Sequence, residues 1–266
     1  MADRLMQALH TLDEVERSAR KRSPLRQIDS RAKIIVTVTF LLSMLSMPLV
    51  RLSELMLFFI YPIVSAAMGG LFYGKVFRTS LIVLPFVALI ALPNIFYDRL
   101  PILQIGQLTI SRGWITLLSI ILRGMLSVQA VMVLIASTGI YHTARALNKL
   151  GLPALLASQI YLTMRYLRLI LQQALAMRQA RDARSFGRKS YPLSLWATLI
   201  GQLLLRSIKR GEAIGEAMTV RGFDGRMPEI SLNRQERWRR RDTLYTISWC
   251  ATFILIHILH FANHIF

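Results

Sequence analysis

Residues 114–139 read WITLLSIILRGMLSVQAVMVLIASTG and contain one charged side chain, that of Arg123. A helix needs about 20 mostly apolar residues to cross the hydrocarbon core of a bilayer, and this stretch is long enough. We therefore predict an all-α membrane protein with about five transmembrane helices, rather than a soluble domain with buried core helices. The four other apolar stretches lie at residues 34–51, 55–73, 79–97 and 244–266.

The chain is strongly basic as well as hydrophobic, with 33 Lys and Arg against 14 Asp and Glu and a net charge of +19. Eight basic residues lie within residues 1–33 and 19 lie within residues 145–241. The apolar stretches between them argue against a nucleic-acid-binding domain. Because segments rich in Lys and Arg stay in the cytoplasm, we expect both regions on the inner side of the cell membrane.

These patterns predict four parts in a multi-pass membrane protein. A cytoplasmic N-terminal segment is followed by a four-helix transmembrane part, a basic cytoplasmic domain and a C-terminal transmembrane helix. Their predicted bounds are residues 1–33, 34–144, 145–241 and 242–266.

The basic domain contains two long helical patterns, which are apolar at the start and basic towards the end. The first follows Gly-Leu-Pro at residues 151–153 and runs to about Arg184, and the second runs from Leu193 to about Arg221. If the first helix crossed the membrane completely, its basic end would lie outside, against the charge rule. We therefore predict two amphipathic helices that lean into the membrane and end in the cytoplasm.

Small residues recur along both helices at steps of three and four, which places them on one face of each helix. Gly211-x-x-x-Gly215 is a pattern that lets helix backbones approach closely. We expect the two helices to cross along these faces; the alternative is that the small residues face lipid. The residues are Ala176, Ala180, Ala183 and Gly187 on the first helix and Ser207, Gly211, Gly215 and Thr219 on the second.

Both helices end on a similar motif, Ala183-Arg184-Ser185-Phe186-Gly187 in the first and Val220-Arg221-Gly222-Phe223-Asp224-Gly225 in the second. An Arg followed by a small residue is also a common helix C-terminus. A guanidinium, however, binds carboxylates through two parallel bonds, and Phe186 and Phe223 can add apolar contact area beside it. The pair therefore predicts two sites for binding a partner protein.

Several other stretches are distinctive: SPL at 23–25, DSRAK at 29–33, ALNKLGLP at 146–153, MRY at 164–166, RDARS at 181–185 and EAMTVRGFDG at 216–225. With them, most of the chain resembles the transmembrane (T) component of energy-coupling-factor transporters, called EcfT, and within it the cobalt and nickel branch called CbiQ. In that family, two Ala-Arg-Gly-like motifs end the coupling helices, and each motif contacts one of two cytoplasmic ATPase subunits.

The resemblance implies ATPase-coupling roles for Ala183-Arg184-Ser185 and Val220-Arg221-Gly222, each of which departs from the family motif at one flanking position and keeps its Arg. It implies that the partner ATPases bind ATP and Mg, while this chain binds no cofactor. A separate substrate-binding (S) membrane subunit, with or without a small accessory membrane subunit, is also implied. The expected cargo is a cobalt or nickel ion, with a vitamin as the alternative.

Other possible activities find little support in the sequence. Residues 69–75 begin like a phosphate-binding loop, but Val76 replaces the Ser or Thr that would hold magnesium. The spans contain no clear acidic pair for a stand-alone membrane enzyme. A conventional ABC permease would carry Glu-Ala-Ala followed by Gly in a cytoplasmic loop. Glu212-Ala213 and Glu216-Ala217 match this motif only in part. We expect a non-catalytic subunit.

Four polar residues in the spans need a separate account. His257, His260 and His264 share one helical face, and imidazole suits nickel or cobalt, but carboxylate or thiolate companions are missing from the pattern. We predict packing or interfacial histidines and no metal site. Arg123 lies mid-span, where an unpaired charge costs about 2.5 kcal/mol or more. We expect Arg123 to face another helix or a partner subunit.

Overall fold

The structure is a computed structural model, and it describes residues 6, 23–49, 51–97, 101–105, 108–185, 193–223, 225 and 238–265. The chain divides into two compact units. The span unit comprises Glu16–Thr143 and Asn233–Phe266, and the helix-pair unit comprises Met1–Val15 and Ala144–Leu232.

The described residues are almost entirely helical. A short 3-10 turn at Pro24–Gln27 precedes the first α-helix. The helices are α1 Ser30–Ser46, α2 Leu52–Leu57, α3 Ile60–Met68, α4 Tyr73–Ser80, α5 Leu84–Ala91, α6 Pro93–Tyr97, α7 Arg112–Thr138, α8 Ile140–Lys149, α9 Ala154–Arg184, α10 Leu193–Val220 and α11 Arg240–Ile265.

A short β-hairpin accompanies the predicted helical architecture. Strands β1 (Pro101–Ile105) and β2 (Leu108–Ser111) pair antiparallel, with Ile105 opposite Leu108. Both strands are rich in residues that favour β-structure, and a Gly-Gln pair separates them in the sequence. The sequence therefore carried this signal, although the prediction treated these residues as a loop between two spans.

Two helices are long and apolar enough to cross a membrane in the described part of the chain, at Arg112–Thr138 and Arg240–Phe261. A third span exists if Tyr73–Ser80 and Leu84–Ile95, which bend by 45° at their junction, cross together. The predicted count of five spans is therefore not confirmed.

The remaining predicted spans are interrupted in the backbone. Helix α1 ends after 17 residues, just before Met47 and Pro48, since the residue before a proline is pushed out of the helical conformation. The second apolar stretch forms the shorter α2 and α3, which a turn at residues 58–59 separates. A turn at 81–83 precedes Pro85, which lies in the first turn of α5.

Aromatic rings hold the span unit together. Phe40 of α1 stacks on Tyr61 of α3 at 4.5 Å between ring centroids, and Tyr61 meets Trp249 of α11 edge-on at 4.9 Å. Each such pair contributes about 0.5–1.5 kcal/mol beyond its buried area. Helices α1 and α11, which are more than 200 residues apart in the chain, are thereby packed side by side.

Helices α5 and α7 approach each other at Gly124, the residue after Arg123. A Cβ atom added to Gly124 would lie 2.9 Å from a methyl carbon of Val87. A glycine is required here because any side chain would push the helices apart.

Candidate functional site

The end of α10 is shaped by the two residues that follow Arg221. Gly222 has a φ of +76°, and its N–H donates to the Thr219 carbonyl at 3.0 Å. The Phe223 N–H donates to the Met218 carbonyl at 3.0 Å. This pair of bonds is a Schellman motif, which needs a left-handed residue that is almost always glycine. The turn leaves Arg221 exposed at the end of the helix.

Beyond Arg221, the chain folds back onto α9. The hydroxyl of Ser158, which is only 5% exposed, donates to the Gly225 carbonyl at 3.2 Å. A Cβ atom on Gly225 would lie 3.9 Å from the Leu155 side chain. Phe223 lines a groove between α9 and α10, so its ring contributes to packing within this unit. Its predicted role at a partner interface stays a prediction.

The end of α9 has a different backbone geometry. Ser185 follows Arg184 in a right-handed conformation with φ −84°, and its N–H and hydroxyl donate to the Asp182 carbonyl at 3.2 and 2.8 Å. Ala183 and Arg184 are exposed. Phe186 and Gly187 lie outside the described residues. Both helices thus end with an exposed arginine, but a left-handed glycine follows only the one at position 221.

The two arginine ends lie far apart, because α9 and α10 are antiparallel neighbours. The segment after Arg221 contacts α9 at Ser158, near the start of that helix, whereas Arg184 is its last residue. At 1.5 Å per residue, these two positions on α9 are about 39 Å apart. The two arginine ends therefore lie at well-separated places in the helix-pair unit.

A groove of about 540 Å³ lies between residues 159–173 of α9 and residues 207–219 of α10. The close approach predicted at Gly211 and Gly215 is absent, since a Cβ atom on either would meet no described atom within 4 Å. The facing wall on α9 carries mostly large side chains. The residues lining it are Gln159, Leu162, Thr163, Tyr166, Leu167, Leu169, Ile170 and Gln173 of α9, Ser207, Arg210, Gly211, Ile214, Gly215, Met218 and Thr219 of α10, and Phe223.

The small-residue face predicted on α9 does not line this groove. Ala176 and Ala180 are exposed and lie beyond the last groove residue, Gln173, and Gly187 lies outside the described residues. The two predicted faces therefore do not meet in this structure.

Arg123 caps the end of another helix in the span unit. It is 8% exposed, and its guanidinium donates to the carbonyls of Leu45, Met47 and Pro48 at 3.4, 2.6 and 3.2 Å. The last carbonyls of a helix have no partner within the helix, and a positive charge is favourable there. Arg123 therefore compensates for the early end of α1.

The histidines of α11 have separate partners. His257 Nε2 lies 3.0 Å from the Ser43 hydroxyl, and His260 Nδ1 lies 2.5 Å from Glu54 Oε2. Arg51 donates to the other oxygen of Glu54 at 3.1 Å. Over the described residues, no group of three or more His, Cys, Asp and Glu could hold a metal ion. The side chain of His264 lies outside the described part.

The Glu54–His260 contact predicts measurable coupling between the two residues. Replacing Glu54 and His260 by Ala, singly and together, should reveal an interaction energy of about 0.5–3 kcal/mol in thermal or denaturant unfolding. The matched pair Glu54→Ala and His257→Ala should be additive, because His257 contacts Ser43 instead. Equal additivity in both pairs would contradict a direct contact.

A polar cluster joins the starts of α1 and α11, and the sequence analysis missed it. Asp242, which is 1% exposed, accepts from the Asp29 N–H at 2.8 Å and from the Arg239 N–H at 2.7 Å. Arg31 pairs with Asp29 at 3.1 Å and lies 5.8 Å from the centre of the Trp238 ring. The contact to Arg239 has a local signal, since a carboxylate three residues after the cap often bonds back to it. The contact to Asp29 has none.

Replacing Asp242 by Ala should destabilise the span unit by about 2–4 kcal/mol, because one buried and one partly buried N–H group lose a charged acceptor. Asp182→Ala is a matched control, since Asp182 is exposed and pairs with Arg178 across one helical turn. The unfolding temperature in detergent should fall clearly for Asp242→Ala and barely for Asp182→Ala. Equal effects would show that the Asp242 contacts do not stabilise the fold.

The model of the CbiQ family, described as a cobalt transport protein, matches residues 21–230 of this chain. The matched range includes both arginine ends, the groove and Arg123. A comparison with the curated proteins finds no match.

Proposed function

The chain belongs to the CbiQ family of cobalt transport proteins, and from this premise we propose that it is the transmembrane scaffold of an energy-coupling-factor importer. In this role it binds two cytoplasmic ATPase subunits, which hold ATP and Mg, and a separate substrate-binding membrane subunit. It performs no reaction of its own. ATP hydrolysis in the partners drives uptake of the cargo, through motions that packed helices transmit as rigid bodies.

The observation that carries this proposal is the pair of exposed arginines at opposite ends of α9 and α10. A separation of about 39 Å along α9 is far larger than one small ligand can bridge, and it suits two copies of a partner protein. Each guanidinium can bind a carboxylate or a row of backbone carbonyls on its partner. The different geometry of the two ends allows the two copies to dock in different orientations.

Nucleotide binding by this chain itself finds no support in the geometry of residues 69–75. Gly70 has a φ of +63°, and Leu71 donates to the Ala66 carbonyl at 3.0 Å. These residues form the C-terminal cap of α3 and not a loop that follows a strand, as phosphate-binding loops do. We propose that ATP binds to the partner subunits.

The distribution of charge supports an inward orientation of the helix pair. The last turn of α9 is basic, α10 carries Arg206, Lys209 and Arg210 and is followed by Arg221, and segments rich in Lys and Arg stay on the cytoplasmic side of the cell membrane. With that orientation, both arginine ends face the compartment that contains ATP.

A cobalt ion is the favoured cargo because the matching family is described as a cobalt transport protein. Nickel is the next choice, since nitrogen and sulfur ligands bind both ions well, and a vitamin is the third. Uptake of radioactive cobalt and nickel is measured in cells with and without the chain. Competition of each ion against the other then distinguishes cobalt from nickel as the cargo.

Purification of the tagged chain from its native membrane tests the proposed function. We expect an ATPase subunit, in two copies per chain, and a small membrane protein to accompany it, and the assembly to hydrolyse ATP. Recovery of the chain alone, with cargo uptake that does not depend on ATP, would contradict the proposal.

A further inference from the structure

We propose that Ser158 and Phe223 are positioning residues that fix the Arg221 end of α10 to the body of α9, so that α9 is one rigid strut between the two docking sites. The inference rests on the proposed function, because it assigns the two arginine ends to partner subunits. It concerns the helix-pair unit alone.

The first support is the direction in which the chain leaves α10. The two bonds of the Schellman motif fix Gly222 and Phe223 relative to the last turn of the helix. Phe223 then enters the groove beside Met218, and an apolar contact between these two positions commonly accompanies the motif. The backbone after Arg221 is therefore fixed both by its hydrogen bonds to the last turn of α10 and by the Phe223 side chain in the groove.

The second support is the hydrogen bond between Ser158 and Gly225. A serine inside a helix usually bonds to a carbonyl one turn before it. The Ser158 hydroxyl donates to a carbonyl 67 positions away in the sequence, from a residue that is almost fully buried. This bond connects the segment after Arg221 to the second turn of α9.

Helix α9 thereby carries both docking sites. Arg184 is its last residue, and the Arg221 end is attached near its start. The opposite ends of α9 and α10 are joined by only eight residues, 185–192. The distance between the two arginine ends is therefore set by the length of one helix and not by the angle between two helices. Movement of either ATPase should tilt the pair as one body, without opening it like scissors.

Distances between two spin labels test the strut directly. The labels are attached to Ala180→Cys and Ala217→Cys, two exposed positions outside the groove lining, in a chain whose native cysteine is replaced by Cys250→Ser. In the full chain in lipid nanodiscs, we expect one narrow distance. The same distance should persist when ATPase subunits and ATP are added.

Variants identify the residues responsible. Ser158→Ala combined with Phe223→Ala should broaden the distance distribution and weaken ATPase binding about tenfold. In this variant the Arg221 end is no longer fixed before binding, so the entropy cost of ordering it reduces the affinity. Ser158→Thr and Phe223→Leu keep the hydroxyl and the apolar bulk and should restore both readouts. Leu205→Ala is the matched control, because Leu205 is 61% exposed and does not line the groove.

Two results would overturn the inference. One is a broad distance, or one that shifts with ATP, in the parent chain. The other is an unchanged narrow distance in the Ser158→Ala, Phe223→Ala variant. The measurement on the isolated chain needs no ATPase, so a narrow distance without any ATPase binding would refute the proposed function and leave the strut intact.

Discussion

Arg184→Glu combined with Arg221→Glu is expected to abolish co-purification of the ATPase subunits and to stop ATP-driven uptake. Arginines at the centre of protein interfaces often contribute a factor of about 30 or more each to binding. Reversal of the charge adds repulsion against any carboxylate of the partner. Because both side chains are exposed, the thermal stability of the chain should not change.

The single variants should behave differently from the double one. The two ends are about 39 Å apart along α9, so they should act independently. Arg221→Glu alone should leave one ATPase subunit bound per chain, and Arg184→Glu alone should do the same. Mass measurement of the purified assembly distinguishes two, one and no bound subunits.

Arg206→Glu combined with Lys209→Glu is the matched control. Both residues are exposed on α10 and change the net charge by the same amount, but neither lies at a helix end. This control should retain two ATPase subunits. Normal recruitment by the Arg184→Glu, Arg221→Glu chain would refute the assignment of both sites, and equal loss in the control would show that overall charge governs binding.

Arg123→Met is expected to cause the largest loss of stability of any single substitution considered for the span unit. Methionine keeps much of the volume but leaves the carbonyls of Leu45, Met47 and Pro48 without their charged donor. A buried polar group without a partner costs about 1–3 kcal/mol, so a loss of about 3 kcal/mol or more is expected. We expect a strongly lowered unfolding temperature in detergent and a reduced yield in the membrane.

Two further variants make this test specific. Arg123→Lys keeps the charge but lacks the planar fork that reaches several carbonyls at once, so its stability should be intermediate. Arg78→Met removes an exposed arginine of α4 and should have little effect. If Arg123→Met unfolds like the parent protein, the cap on α1 does not stabilise the fold.

The ends of the two long helices could be predicted from the sequence to within one residue. Helix α9 ends at Arg184, as predicted, and α10 ends at Val220, one residue before the predicted end. The prediction succeeded because the signals are local: a basic last turn marks the end of α9, and Gly222, which takes the left-handed conformation, marks the end of α10.

The number of spans could not be predicted from hydrophobicity, because hydrophobicity does not report breaks in the backbone. The stretches at 34–51, 55–73 and 79–97 are apolar enough, yet turns and prolines divide them or end them early. Pro48 and Pro85 are the local sequence signals for these breaks, since a proline interrupts a helix and restricts the residue before it.

Contacts between distant residues account for most of what was missed. Gly211 and Gly215 match the small-residue motif for helix packing, yet no close helix contact forms there. A close contact lies instead at Gly124, which is not part of such a motif. The sequence identified Arg123 as a residue that needs a partner, and only the fold shows that this partner is the end of α1. The Asp29–Asp242 contact spans 213 positions, and a single sequence carries no information about such pairs.

Site-specific cross-linking in intact membranes tests the docking of two ATPases most directly. Ala183→Cys and Val220→Cys, each introduced alone in the Cys250→Ser chain, place a reactive thiol beside Arg184 or Arg221 at an exposed position. We expect each thiol to form a cross-link to the ATPase subunit, and a chain with both thiols to capture two subunits. Labelling of either thiol by a membrane-impermeant reagent added outside the cell, with no cross-link to an ATPase, would contradict the proposed docking.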